Sequence, residues 1–160
     1  MPPVLDVTLR EVRDSDLSYF FRHLQDPESL LLAAFTPQDP GDRDAFLAHW
    51  ARIRASETGI VRTITSAGEV VGHVASWEED GHRELTYWIA REFWGRGIAT
   101  AAVSAFLHVD RGRPFGARVA EGNAGSERVL EKCGFRRVGT DRGFANARGE
   151  DIGETIFRLD

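Results

Sequence analysis

Phe93-Trp94-Gly95-Arg96-Gly97-Ile98-Ala99-Thr100 is the stretch whose reading decides the fold. Before it, Glu84-Leu85-Thr86-Tyr87-Trp88-Ile89-Ala90 reads as a strand. After it, Ile98 to about Arg111 reads as an amphipathic helix, with Ile98, Ala102, Val103, Phe106 and Leu107 on its buried stripe. A glycine-rich turn at a helix start presents backbone N–H groups that have no partner within the helix, and the helix dipole adds partial positive charge there. Such a turn suits an anion, above all a phosphate. Gly95 and Gly97 permit positive φ and a close approach of ligand to backbone, and Arg96 adds a charged donor. The same glycines also fit a plain strand-to-helix turn that needs small residues, so the turn alone leaves both readings open. A Walker A loop is excluded, because no Gly-Lys-Ser/Thr follows at the right spacing. The dinucleotide pattern G-x-G-x-x-G/A meets Thr100 at its third small position. It also expects a βαβ unit, whereas here several strand-like runs precede the turn without helices between them.

Upstream, Val7–Val12 alternates as a first strand. Asp14-Ser15-Asp16 offers a cap to a helix carrying Leu17, Phe20, Phe21 and Leu24, which Asp26-Pro27 ends. Leu30–Phe35 is apolar and ambiguous, and Pro37–Asp44 is a loop. A second helix runs from about Asp42 to Ala55. Ile60–Thr65 and Glu69–Trp77 form a hairpin around Ser66-Ala67-Gly68, and the strand from Glu84 follows a polar turn. Downstream of the third helix, Phe115–Ala120 is a short strand. Ser126–Cys133 is a fourth helix closed by Gly134, and Phe135–Gly139 opens a strand. Asp141–Glu150 reads as a polar loop, and Ile152–Leu159 as a last strand. This order combines an antiparallel meander with one β-α-β crossover. It predicts an α+β fold: a mixed, mostly antiparallel sheet of about seven strands flanked by four helices, in one domain spanning 1–160.

The net charge of −5 argues against a nucleic-acid partner, whose footprint is a basic stripe. The single cysteine, Cys133, excludes an internal disulfide. No apolar run is long enough to span a bilayer, and Met1-Pro2-Pro3-Val4 has no basic segment followed by an apolar one. The expectation is a cytoplasmic monomer or homodimer with no membrane partner. His23, His49, His82 and His108 lack metal-ligand spacing, so no metal is expected, and His73 within its strand reads as a packed or paired histidine. Cys133 reads as core, Trp50 and Trp77 as core or pocket wall, and Glu78, Glu79 and Asp80 as solvated charge. Arg111 and Arg113 read as a solvated helix end.

The element order, with the glycine turn after the fourth strand, resembles the GNAT family of acyl-CoA-dependent N-acyltransferases. Trp94-Gly95-Arg96-Gly97-Ile98-Ala99 is similar to that family's Gln/Arg-x-x-Gly-x-Gly/Ala phosphate turn, with Trp94 departing at the first position. Asn123-Ala124-Gly125-Ser126-Glu127-Arg128-Val129-Leu130-Glu131-Lys132-Cys133-Gly134-Phe135 resembles the RimJ/RimL-type branch, as does Tyr87-Trp88 followed by Phe93-Trp94-Gly95.

The resemblance implies acetyl-CoA as cosubstrate and a primary amine as acceptor. It places the pyrophosphate on the backbone of Gly95, Arg96, Gly97, Ile98, Ala99 and Thr100, at about 1.5–3 kcal/mol per charge-assisted bond. It runs the pantetheine arm between the strands at Tyr87–Ala90 and Phe115–Ala120, with Asn123 binding it. It sets the thioester oxygen near the N–H of Trp88 or Ile89. It makes Glu84 the base and Ser126 a donor to the departing sulfur. For Glu84 the alternative is a solvated strand-end carboxylate, for Ser126 a helix N-cap, and for Asn123 a residue that holds its own turn. An α-amine, with a pKa of about 7.7–8, is partly neutral at pH 7, whereas a lysine at about 10.4 needs the base more. The acceptor stays open among a protein N-terminus, an aminoglycoside, a polyamine and a small amine. Its walls are expected from Leu30–Asp44 and Asp141–Glu150. A non-catalytic acyl-CoA sensor or docking domain is the alternative function.

Overall fold

The structure, a computed structural model, describes residues 5–160. The start Met1–Val4, read above as carrying no leader, lies outside them. Among the described residues are seven strands and five α-helices. In chain order these are β1 (Thr8–Arg10), α1 (Asp16–Leu24), α2 (Pro27–Ala33), α3 (Arg43–Ala55), β2 (Ile60–Ser66), β3 (Glu69–Glu79), β4 (His82–Ile89), α4 (Ile98–Val109), β5 (Phe115–Ala120), α5 (Ala124–Lys132), β6 (Arg136–Ala145) and β7 (Glu150–Leu159). The sheet order is β1-β2-β3-β4-β5-β7-β6, antiparallel except for the β4–β5 pair. The mixed α+β sheet of the sequence reading is present. No helix among the described residues is long and apolar enough to cross a membrane.

Two elements differ from expectation. Asp26-Pro27 does end α1, but it also starts α2: the Asp26 side chain accepts from the Ser29 N–H, and Pro27 occupies the first helical position. The stop signal of one helix is thus the start signal of the next, which gives a fifth helix where four were expected. Of Asp141–Glu150, only Asn146–Gly149 is a turn. Asp141–Ala145 continues β6, paired with β7 from Arg136↔Arg158 to Ala145↔Glu150. β6 is the sheet's edge and almost wholly exposed, so it carries no apolar alternation to mark it.

The two sheet faces are covered differently. On one, Ile98, Ala102, Val103 and Phe106 of α4 and Leu130 of α5 pack against Val74, Leu85, Ile89, Phe115 and Phe157. Phe106, Phe115 and Phe157 are fully buried, each worth about 1.5–3 kcal/mol of transfer energy. The other face carries a smaller cluster of Phe20 from α1 with Phe46 and Trp50 from α3.

Two buried carboxylates tie helix ends to strands. Asp16, at the start of α1, accepts both Arg10 guanidinium nitrogens (2.7 and 2.8 Å), the Arg13 N–H (2.8 Å) and the Thr63 hydroxyl (2.7 Å). Asp110, just past α4, accepts Ser76 Oγ (2.5 Å), Arg83 Nε (2.9 Å) and the Gly112 N–H (2.9 Å).

Burial opposes the charge on Asp16, but its four bonds outweigh that cost and hold its carboxyl down at about 2, against an ordinary 3.8. A depressed native pKa contributes stability above the unfolded value, lost as pH falls from 3.8 toward 2. The shift corresponds to about 2 kcal/mol. Urea unfolding should therefore show wild type losing about 2 kcal/mol more than Asp16→Asn between pH 5 and pH 2. Parallel pH profiles for the two would remove Asp16 from this role.

Candidate active site

β4 and β5 pair at only two positions, Arg83↔Phe115 and Glu84↔Gly116. Beyond Glu84 the strands part and leave a slot in the sheet. Two bonds fix which backbone groups face it. Arg83 N–H donates to Pro114 O on the β5 side, and Ala90 N–H donates to Val71 O on the β3 side. Backbone direction alternates along an antiparallel strand, so Leu85, Tyr87 and Ile89 turn their N–H and C=O toward the slot, and Thr86 and Trp88 toward β3. Of the two thioester donors expected from sequence, Ile89 rather than Trp88 thus has its N–H on the open side.

On the α4 side of the slot lies a cavity of about 620 Å³. Its outer wall is the turn between β4 and α4. Gly95 and Gly97 have φ of +75° and +79°, and Gly97 caps α4 without any side chain serving the free N–H groups of its first turn. No acidic side chain sits in that turn. The first bond of α4 runs from Ala101 N–H to Gly97 O, so the N–H groups of Ile98, Ala99 and Thr100 have no partner in the helix. A Cβ built on Gly95 meets nothing within 4 Å. Trp88, Ile89, Gly95, Gly97, Ile98, Ala99, Thr100, Asn123 and Ser126 all line this cavity. Arg96 does not: its guanidinium lies over the Phe93 ring, 5.3 Å from the centroid, and donates to Glu92 O. Arg111 and Arg113, past the other end of α4, do not line it either.

On the α1–α3 side lies a second cavity, of about 710 Å³. Its floor is β4, where Thr86 is exposed in mid-strand. The Phe35–Asp42 segment forms one wall, within the Leu30–Asp44 stretch expected there, whereas no residue of Asp141–Glu150 lines it. Glu84 is buried in this floor at 8% exposure, 2.8 Å from His82 Nε2. Gly116 makes room for it, since a Cβ there would stand 2.8 Å from Glu84 Oε2. Asp39, Asp42, Glu79, Glu84 and Glu154 line the cavity against Arg52 and Arg118. Arg118 is itself held by Glu154 (2.7 Å) and Asp141 (3.0 Å), which leaves the cavity net acidic. Trp50 and Trp77 are both wall residues. So is His73, wedged edge-on between Phe20 and Trp50 at 4.9 Å from each. Burial, with His23 and His49 nearby, pushes His73 down to about 3, so it stays neutral. Among the described residues no group of three His, Cys, Asp or Glu is arranged to hold a metal ion.

The cavities meet at Tyr87, Trp88, Asn123 and Ser126, which line both. Asn123 caps α5, its Oδ1 accepting from the Ser126 N–H at 3.3 Å. The cap of this helix is therefore Asn123 and not Ser126, which sits one turn in. Ser126 Oγ instead lies 2.5 Å from the Tyr87 hydroxyl. Burial raises Tyr87 to about 12 against the opposing pull of the Ser126 bond, so it remains a phenol. Sequence reading placed Tyr87 on the right strand without giving it a role, because its partner is 39 residues away. Cys133 packs behind this junction, its thiol raised by burial and directed at Thr100 O.

A family model described as "Acetyltransferase (GNAT) domain" matches residues 6–136. "Putative ribosomal N-acetyltransferase YdaF" of Bacillus subtilis (strain 168) is 30% identical over 131 residues, covering 74% of this chain and 71% of that protein. Two solved structures share the fold. One is Mycobacterium smegmatis RimJ in complex with CoA-disulfide, at TM-score 0.79 and 24% identity over 97% of this chain and 84% of that one. The other is Vibrio cholerae spermidine N-acetyltransferase in complex with CoA and spermine, at TM-score 0.79 and 19% identity over 96% and 95%. With a slot between two cavities, a bare phosphate-type turn and a family match over most of its length, the chain belongs to the GNAT acetyltransferase family.

Proposed function

We propose that residues 1–160 form a single RimJ/RimL-like domain that transfers acetyl from acetyl-CoA to a primary amine by direct attack, with no covalent enzyme intermediate. The observation that carries this is the slot: it joins a cavity ending in unpaired helix N–H groups to a cavity floored by a buried carboxylate. The fit to a CoA ester rests on the first cavity's chemistry. Gly95, Gly97, Ile98, Ala99 and Thr100 offer backbone donors to a pyrophosphate with no carboxylate competing for them. The slot-facing groups of Tyr87 and Ile89, with Asn123 opposite, receive an extended amide-bearing arm.

Acetyl-CoA supplies the activated acyl group as a thioester. Ile89 N–H donates to the acyl oxygen where negative charge develops. The acidic cavity draws in a cationic amine, and Glu84, directly or through water, takes one proton from it to free the nitrogen lone pair; the second proton, shed as the nitrogen bonds to the acyl carbon, passes through water to solvent. As the carbon–sulfur bond breaks, Ser126 gives its hydroxyl proton to the sulfur and recovers one from Tyr87, which reprotonates from solvent. A thiolate with a pKa of about 8.5 leaves readily, so this help is modest. The partners are an amine acceptor and acetyl-CoA, with a protein N-terminus or a small amine as acceptor. Free-thiol release with a panel of a free-N-terminus tripeptide, spermidine, tyramine and an aminoglycoside tests turnover. Thiol release with none of them, alongside retained acetyl-CoA binding, would favour the sensor alternative.

Three substitutions probe the roles. Gly97→Val forces a β-branched residue to φ +79° and screens the turn, so calorimetry should show acetyl-CoA affinity falling at least about tenfold. Unchanged affinity in the folded variant would move the cofactor site elsewhere. Glu84→Gln should lower turnover most at low pH and recover as the amine deprotonates in solution; a deficit constant with pH would remove Glu84 as base. Ser126→Ala and Tyr87→Phe should each cost about tenfold in kcat across the pH range, against the roughly 10²–10⁴ typical of acid–base catalysis. Because they share one proton path, the double variant should lose far less than the product of the two. Multiplying losses would show that the hydroxyls act separately.

A further inference from the structure

Between the end of β4 at Ile89 and the start of α4 at Ile98 the chain makes one short 3₁₀ turn, Arg91–Phe93, and two positive-φ glycines. This connector sets the distance between the two ends of the proposed cofactor site, the phosphate turn and the thioester donor. Glycines leave its geometry weakly determined. One side chain ties its turn back to the last residue of β4. The Trp94 indole, 38% exposed, lines the cofactor cavity and donates its Nε1–H to Ile89 O at 2.8 Å. That carbonyl faces the slot, where β5 has already diverged, so the indole satisfies a group the sheet leaves open. The opposite edge of β4 is fixed as tightly. A Cβ on Gly72 would stand 2.0 Å from Trp88 O, so β3 presses backbone to backbone against this strand end.

The chemistry of tryptophan makes the role specific. Its indole N–H is its only polar donor, and that donor is spent on Ile89. Where the phosphate-turn pattern has Gln or Arg, this chain therefore has a residue with no polar atom left for a ligand. We infer that Trp94 is a positioning residue, a strut that holds the phosphate turn and the Ile89 peptide at one spacing so that grip on the pyrophosphate fixes where the acyl carbon sits. The inference rests on the acetyl-CoA reading above. Its energetic basis is that binding energy from a remote part of a substrate is used to orient the reacting centre, and small misplacements there cost rate.

The test compares acetyl-CoA with S-acetylpantetheine, which carries the same thioester and no pyrophosphate. The acceptor is whichever amine of the panel turns over fastest. Trp94→Phe keeps a ring and removes the N–H, and Trp94→Gln, the residue type of the usual pattern, is the second variant. In both, kcat with acetyl-CoA should fall about tenfold. With S-acetylpantetheine kcat should fall much less, so that the preference for the full cofactor shrinks at least about fivefold. A general structural defect would lower both kcat values together and leave the preference intact. If wild type prefers acetyl-CoA and the variants keep that preference, or lose only in KM, the strut is refuted while the cofactor reading stands. If wild type shows no preference for acetyl-CoA, the turn is not a pyrophosphate site and both fall.

Discussion

β4 and β5 are neighbours held by two residue pairs, and everything at the site follows from their parting. A sheet normally satisfies its backbone by pairing, and unpaired groups in its middle are costly unless something else meets them. Here the open groups line a slot connecting the two faces of the sheet. One face supplies a cavity bounded by a helix start, the other a cavity floored by a carboxylate. The two cavities meet where Ala33, Tyr87, Trp88, Asn123 and Ser126 stand.

The gap needs rigid borders. Asp110 fixes the paired end through Arg83 and Ser76, next to the two residue pairs that remain. Gly116 accommodates the Glu84 carboxylate where the strands still touch, and Gly72 lets β3 lie directly on β4 at the other end. On the α1–α3 side, Asp16 binds α1 to β1 and β2, and α1 with α3 walls the cavity. The apolar core under α4 provides the bulk of the burial. These few polar contacts decide which backbone groups remain unpaired.

The sequence carried the fold where a signal was local. Glycines before an apolar helix marked the turn, alternation marked β1, and the Ser66-Ala67-Gly68 turn marked the β2–β3 hairpin. It hid α2, because Asp26-Pro27 signals a stop and a start with the same two residues. It hid the length of β6, because an exposed edge strand has no buried face to betray its period. Within the site, Asn123 and the glycines were legible as local turn chemistry, and Glu84 and Ser126 through family resemblance. The Tyr87–Ser126 contact, the His82–Glu84 contact in the cavity floor and the Trp94–Ile89 bond were not. Each depends on where separate elements come to lie, or on which way a side chain folds back, and spacing alone does not encode that.

Amide hydrogen exchange, with and without acetyl-CoA, tests most directly whether the slot and turn form one ligand site. The account predicts new protection in two separate stretches at once, the slot edge at Tyr87–Ile89 and the turn at Gly95–Thr100, with β2, two strands away from the slot, unchanged. Protection confined to other elements, with both stretches exchanging as in the free chain, would contradict it.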